Sequence, residues 1–199
     1  METERKVFCD LLHSALKREE EDISRISPGI APAKHYLLSV AFATELVVAH
    51  LVRKQALRDR RAVRTEVRYV GSRQCADLCL VEGDGYSASL EIKGPRAVWE
   101  PTGPLTADVR KHLAGSTGIA GARPNAERYN AWILVTEPGA TREALEAFIL
   151  TALSGAVDHA EFIAADPIPI NRIGETHYVD KANGRFGSLQ VVVMRAVGV

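Results

Sequence analysis

The stretch from Cys75 to Lys93 leaves little freedom in how this chain folds. Cys75-Ala-Asp-Leu-Cys-Leu-Val81 is a short, mostly apolar run of the kind found in a buried strand. Gly83-Asp-Gly85 has the composition of a tight turn, and Tyr86-Ser-Ala-Ser-Leu-Glu-Ile-Lys93 then alternates polar with apolar. Together they predict an antiparallel hairpin. Side chains on a strand alternate between its faces. Ser87, Ser89, Glu91 and Lys93 therefore share one face, and Ala88, Leu90 and Ile92 the other. Asp77, on the first strand, is expected beside Glu91 and Lys93. Two carboxylates and an ammonium on one side of a hairpin are a minimal set for holding a divalent cation against a phosphate.

The 199-residue chain is 46% hydrophobic, enough for one domain with a proper core. The pattern divides into an amphipathic helix and loop at residues 1–30 and an α/β domain at 31–199. No apolar run approaches the roughly eighteen residues of a membrane span. The charged start, Met1-Glu-Thr-Glu-Arg-Lys, is not followed by a signal-peptide core, and three cysteines form no disulfide framework. A cytoplasmic setting is expected, with no membrane partner. The formal net charge is zero, so composition alone does not point to a polyanion. Basic residues nevertheless gather between positions 53 and 73, and Glu19-Glu-Glu-Asp22 is acidic.

Around the hairpin, Val7, Phe8, Leu11, Leu12, Ala15 and Leu16 recur at helical spacing, predicting a helix over 4–20 that Ser27-Pro-Gly-Ile-Ala-Pro32 breaks. Residues 34–60 are helical in pattern, and Thr65–Val70 is a strand. Gly94-Pro95 is expected to end the second hairpin strand. Residues 105–114 suit a helix, 115–128 a loop and 131–136 a buried strand. Thr141 caps a helix to about residue 150, a short strand follows at Phe162, and Leu189–Met194 is the last strand. This order predicts a mixed sheet with helices on both sides.

Glu45 stands out within the second helix. At 100° per residue, Leu38, Ala41, Val48, Ala49, Val52 and Ala56 form one apolar stripe, and Glu45 falls in its middle. A carboxylate aimed into a core is costly unless paired or bound to a metal. Two readings stand: a buried salt bridge, or a third acidic group reaching the Asp77/Glu91 site. Cys75 and Cys79 share the Asp77 face but lack the further ligands a zinc site needs, so buried thiols are expected. His35 and His112 could each approach the site, although a lone histidine is more often structural or exposed. Lys54, Arg58 and Arg61 line the helix face opposite Glu45, either as a solvated face or as contacts to a phosphate backbone away from the site.

A helix carrying Glu45, a strand, a hairpin bearing Asp77 and Glu91-Ile-Lys93, then a helix and a strand resembles the PD-(D/E)xK nuclease superfamily over residues 34–136. Ala76 stands where the family name has proline, and Pro95 where some branches place a polar residue. The resemblance implies a restriction-endonuclease-like mixed sheet flanked by helices, with an N-terminal helical extension. It implies a Mg²⁺-dependent endonuclease, with Mn²⁺ as a substitute, that cleaves nucleic acid, DNA foremost, by metal-assisted attack of water. Asp77, Glu91 and Glu45 would be metal ligands, Lys93 would complete the catalytic set, and Arg110 and Lys111 would meet substrate phosphates. The alternatives are an inactive nuclease-fold scaffold in a larger complex and an α/β binding domain without phosphate chemistry. A homodimer is expected through the helix at 4–20, whose alternative is docking on its own domain.

Overall fold

The computed structural model describes residues 3–26, 43–97, 112, 118–136, 141–153, 159–169 and 188–197. Helix α1 spans Glu4–Ile26 and α2 Glu45–Arg58. Three strands follow: β1 (Val63–Arg68), β2 (Cys75–Glu82) and β3 (Gly85–Ala97). Next come β4 (Ala122–Thr136), α3 (Arg142–Leu153), β5 (His159–Ala164), β6 (Ile168–Pro169) and β7 (Ser188–Val197). The strands make one sheet in the order β1-β2-β3-β4-β7-β5, with β6 also on β7. Among the described strands, only the β3–β4 pair is parallel. A parallel pair needs a long crossover, and the chain between Ala97 and Ala122 supplies it.

Helical periodicity puts Phe8, Leu12 and Leu16 of α1 on one stripe, and all three are fully buried. They share a core with Val48 and Val52 of α2 and with Leu78, Leu90, Ile92 and Ile133 of the sheet. The apolar stripe of α1 is thus docked on its own domain, the alternative to its use as a dimer surface. On the opposite face, Trp132 and Leu134 of β4 pack with Val192 and Met194 of β7 under Leu145 and Ile149 of α3. The strand alternation of β4 makes this division: odd residues such as Ala131 and Ile133 enter the first core, even ones the second.

The expected hairpin is present, with Leu78↔Leu90, Cys79↔Ser89 and Leu80↔Ala88 in register and a turn at Gly83-Asp84. Gly83 has φ +58°, a left-handed conformation glycine adopts without steric cost. Thr141 caps α3, its Oγ1 accepting the Ala144 N–H at 3.3 Å. Two expectations need correction. Gly94-Pro95 does not end β3, which runs on to Ala97. The register shifts between Lys93↔Trp132 and Arg96↔Leu134, so Pro95 sits in a bulge, where a residue without an N–H costs no ladder bond. The stretch 115–128 is not wholly loop, since β4 begins at Ala122. It pairs with β3 at Ala122 and again from Glu127, a long-range influence that local Gly, Ala and Arg composition does not encode.

Candidate functional site

Lys93 is the hub of the site. It lies near the middle of β3, and its side chain is only 9% exposed. Its Nζ stands 3.5 Å from Glu91 Oε1 and 3.7 Å from Glu45 Oε1. Glu91 is on the same face of β3, as the alternation requires. Glu45 comes from the first turn of α2, where Thr44 caps the helix by accepting the Val47 N–H. A carboxylate at a helix N-terminus is favoured by the exposed N–H groups and the helix dipole. Glu45 Oε1 also accepts the Gly94 N–H at 3.3 Å, a bond that ties α2 to β3.

The expected position of Glu45 in the middle of a buried stripe is corrected by this geometry. The described helix starts at Glu45, so the stripe of Val48, Ala49, Val52 and Ala56 begins one turn further on. The Glu45 side chain is 41% exposed and bridges the helix end to the sheet. Leu38 and Ala41 of the proposed stripe lie outside the described residues, as do His35, Arg110 and Lys111.

Asp77 completes the group by a different route. The β2–β3 register runs from Glu82↔Gly85 back to Leu78↔Leu90. One step beyond, the Asp77 side chain takes over, its Oδ2 accepting the Ile92 N–H at 2.6 Å. The β1–β2 register likewise passes from Thr65↔Leu78 to Val67↔Ala76 without Glu66↔Asp77. Glu66 there has φ +53°, a strained conformation for a residue with a side chain. The ladder therefore opens on both sides of Asp77. Burial raises the Asp77 carboxyl above its ordinary pKa. The Ile92 N–H and Lys93 pull it down, and the charges of Glu45 and Glu66 push it up.

Tyr69 and His112 border the acidic residues. The Tyr69 hydroxyl and His112 Nδ1 are 2.5 Å apart, and both residues are buried. Tyr69 is held well above the usual phenol range, first by burial and then by Glu91; Arg128 lowers it and Asp77 raises it. The sequence pattern singles out His112 but not Tyr69, Glu66 or Arg128. Tyr69 follows a strand whose pattern gives no sign of its partner, and Glu66 shows its special backbone only in three dimensions. Parallel pairing sets Glu91 against Asn130 and Ser89 against Arg128, adding two polar neighbours from β4. Asn130 is fully buried, and neither amide atom is hydrogen-bonded among the described residues.

Cys79 is the expected buried free thiol, pushed up to about 12 by burial, whereas Cys75 is only half-buried. Lys54, Arg58 and Arg61 are exposed, as expected of a solvated face. Among the described residues, no group of three or more His, Cys, Asp or Glu side chains is arranged to hold a metal ion. The donors on offer are the carboxylates of Asp77 and Glu91, with Glu45 across Lys93. This chemistry suits a hard cation that keeps most of its own water, and does not suit a closed protein cage. No helix among the described residues is long and apolar enough to cross a membrane. No protein-family model matches the chain, and no curated protein or solved structure matches it either.

Proposed function

We propose that the protein is a Mg²⁺-dependent phosphodiesterase that cleaves nucleic acid, with DNA the foremost substrate, on a restriction-endonuclease-like core. The observation that carries this reading is the meeting of Glu45, Glu91 and Lys93 at one point of β3, beside the ladder opening that Asp77 fills. The order α2, β1, β2, β3, β4, with β4 parallel to β3, is in keeping with it. A buried lysine held between carboxylates is costly to place in a sheet, and natural chains concentrate such costs at functional sites.

A bound divalent ion would polarise a phosphoryl oxygen and make water more acidic. Asp77 and Glu91 would hold it through hard oxygens, with Glu45 adding a contact directly or through water. Lys93 keeps an ammonium where negative charge develops on the phosphate, and can orient the attacking water. Glu45 and Glu91 fix that ammonium from two sides, so little reorganisation is needed during the reaction. The Ile92 N–H orients Asp77.

A second reading is favoured by the same ion pairs. Lys93 bridges Glu45 of α2 and Glu91 of the sheet, which is what an inactive scaffold would need to lock its helix. A cleavage panel of plasmid and oligonucleotide, with Mg²⁺ or Mn²⁺, separates the two. The nuclease reading expects activity that Asp77→Ala or Glu91→Ala lowers roughly a thousandfold, with the fold intact. It also expects Lys93→Ala to stay folded and bind metal while cleavage is lost. No cleavage by the parent, together with a large drop in the melting temperature of Lys93→Ala, would establish the scaffold reading instead.

A further inference from the structure

A cavity of about 240 Å³ opens on the sheet where β4 begins. It is a product of register. Tyr86 pairs with Ala122, but Ala88 already pairs with Glu127, so the residues between them on β4 bulge away from β3. Gly121, with φ +81°, permits the approach, because a Cβ there would stand 3.2 Å from the Tyr86 ring. Ser89, Arg123 and Arg128 line the space along with Tyr86 and Ile119.

Two features mark it as built for a ligand. Ser89 is 2% exposed, yet its Oγ has no hydrogen-bond partner among the described residues. A buried hydroxyl without a partner is disfavoured by the fold alone, and an incoming acceptor would satisfy it. The second feature is charge. Arg123 pairs through Nη1 with Glu82 at 2.6 Å, which engages only part of a guanidinium that carries five N–H donors. Arg128 stands beside Ser89 across the parallel ladder. A hydroxyl and two guanidinium groups select a tetrahedral oxyanion.

The cavity also lies next to the candidate catalytic residues. Ser89 precedes Glu91 by two positions on the same face, about 7 Å along the strand. Tyr69 senses Arg128 as well as Glu91 and Asp77, so both places share one electrostatic neighbourhood. We propose that the cavity lined by Ser89, Arg123 and Arg128 is a phosphate subsite, which takes a phosphate neighbouring the one positioned at Asp77, Glu91 and Lys93. The phosphate's place in a nucleic-acid backbone rests on the nuclease reading; the anion chemistry of the cavity does not.

The test uses the full chain in chelator, without metal, so that binding is read apart from cleavage. The probes are a fluorescent phosphodiester oligonucleotide, its uncharged methylphosphonate counterpart and inorganic phosphate. The phosphodiester probe is expected to bind at least tenfold more tightly than the methylphosphonate. Arg123→Gln and Arg128→Gln should each weaken it about tenfold, and Ser89→Ala several-fold. Ser89→Ala should leave the melting temperature unchanged or raised, because the hydroxyl has no partner among the described residues. Asp77→Ala should keep this binding while losing any cleavage, which separates failure of the nuclease reading from failure of the subsite. Binding of inorganic phosphate that the same variants weaken, with the oligonucleotide unaffected, would uphold the anion site and assign it to a free phosphate. Parent-like binding of both phosphate probes by all three variants would overturn the proposal, as would clear destabilisation by Ser89→Ala.

Discussion

One face of the sheet carries Leu78, Leu90, Ile92 and Ile133, buried in one apolar cluster with α1 and α2. The other face, around the same β3, carries Glu91 and Lys93, with Ser89 and Asn130 buried and lacking hydrogen-bond partners among the described residues. On the first face, periodicity, burial and packing agree, as they do in a sequence selected for a unique fold. On the second, a buried cation, orphaned polar atoms and a left-handed Glu66 break local rules within a short stretch of sheet. Such departures have to be maintained against a stability cost, and they gather at sites of function more often than in plain structural regions. The apolar core under α1 and α2 and this polar stretch of the other face should therefore respond to substitution with opposite signs.

The largest effect is expected on the apolar face. Leu12 is fully buried in α1, and Leu12→Ala should cost about 2–5 kcal/mol, counting lost transfer energy and the cavity left behind. Chemical denaturation would measure it, and a loss near zero would mean that α1 does not dock as described. Replacement of Asn130 by leucine, a side chain of similar shape, should go the other way. It removes a buried amide without partners, so stability should hold or rise by about 1 kcal/mol, while any cleavage through Glu91 falls. A substantial loss of stability would show that the amide serves the fold and would blur the contrast between the faces.

Glu66→Gly sharpens the comparison at the backbone level. Glycine accepts the left-handed conformation, so relief of about 1 kcal/mol is expected from a thermal melt. The smallest and most specific effect concerns pH. Burial raises the Asp77 pKa, so the folded state binds that proton more tightly than the unfolded state. Ionised Asp77 therefore lowers stability at neutral pH. The penalty fades as pH falls through the raised folded value toward the unfolded one near 3.9. Asp77→Asn keeps an acceptor for the Ile92 N–H and removes the charge. It should melt above the parent at about pH 7, and the two curves should converge on acidification. A parent that instead gains on the variant as pH rises would reverse the assigned shift.

Much of this architecture was legible in the chain because it is local. Helical spacing marked Phe8, Leu12 and Leu16, the glycines at 83 and 85 marked the hairpin, and period-two alternation put Glu91 and Lys93 on one face. Thr141 declared a cap. These features depend on residues a few positions apart, where backbone geometry alone decides which side chains meet. The pairing of β3 with β4 depends on segments far apart in the chain, and it was not legible. Nor were its consequences: the bulge that admits Pro95, the early start of β4 at Ala122, the neighbours Arg128 and Asn130, and the cavity beside Ser89. Glu45 shows the division in one residue. Its periodicity aligned it with the apolar stripe of α2, but the start of the described helix at Glu45 and the passage of Gly94 beneath it made it a partner of Lys93. Residue types and their local periods determined which groups face one way; only the packing of α2 and β4 against β3 decided which of them meet, because that choice is made by long-range burial and pairing.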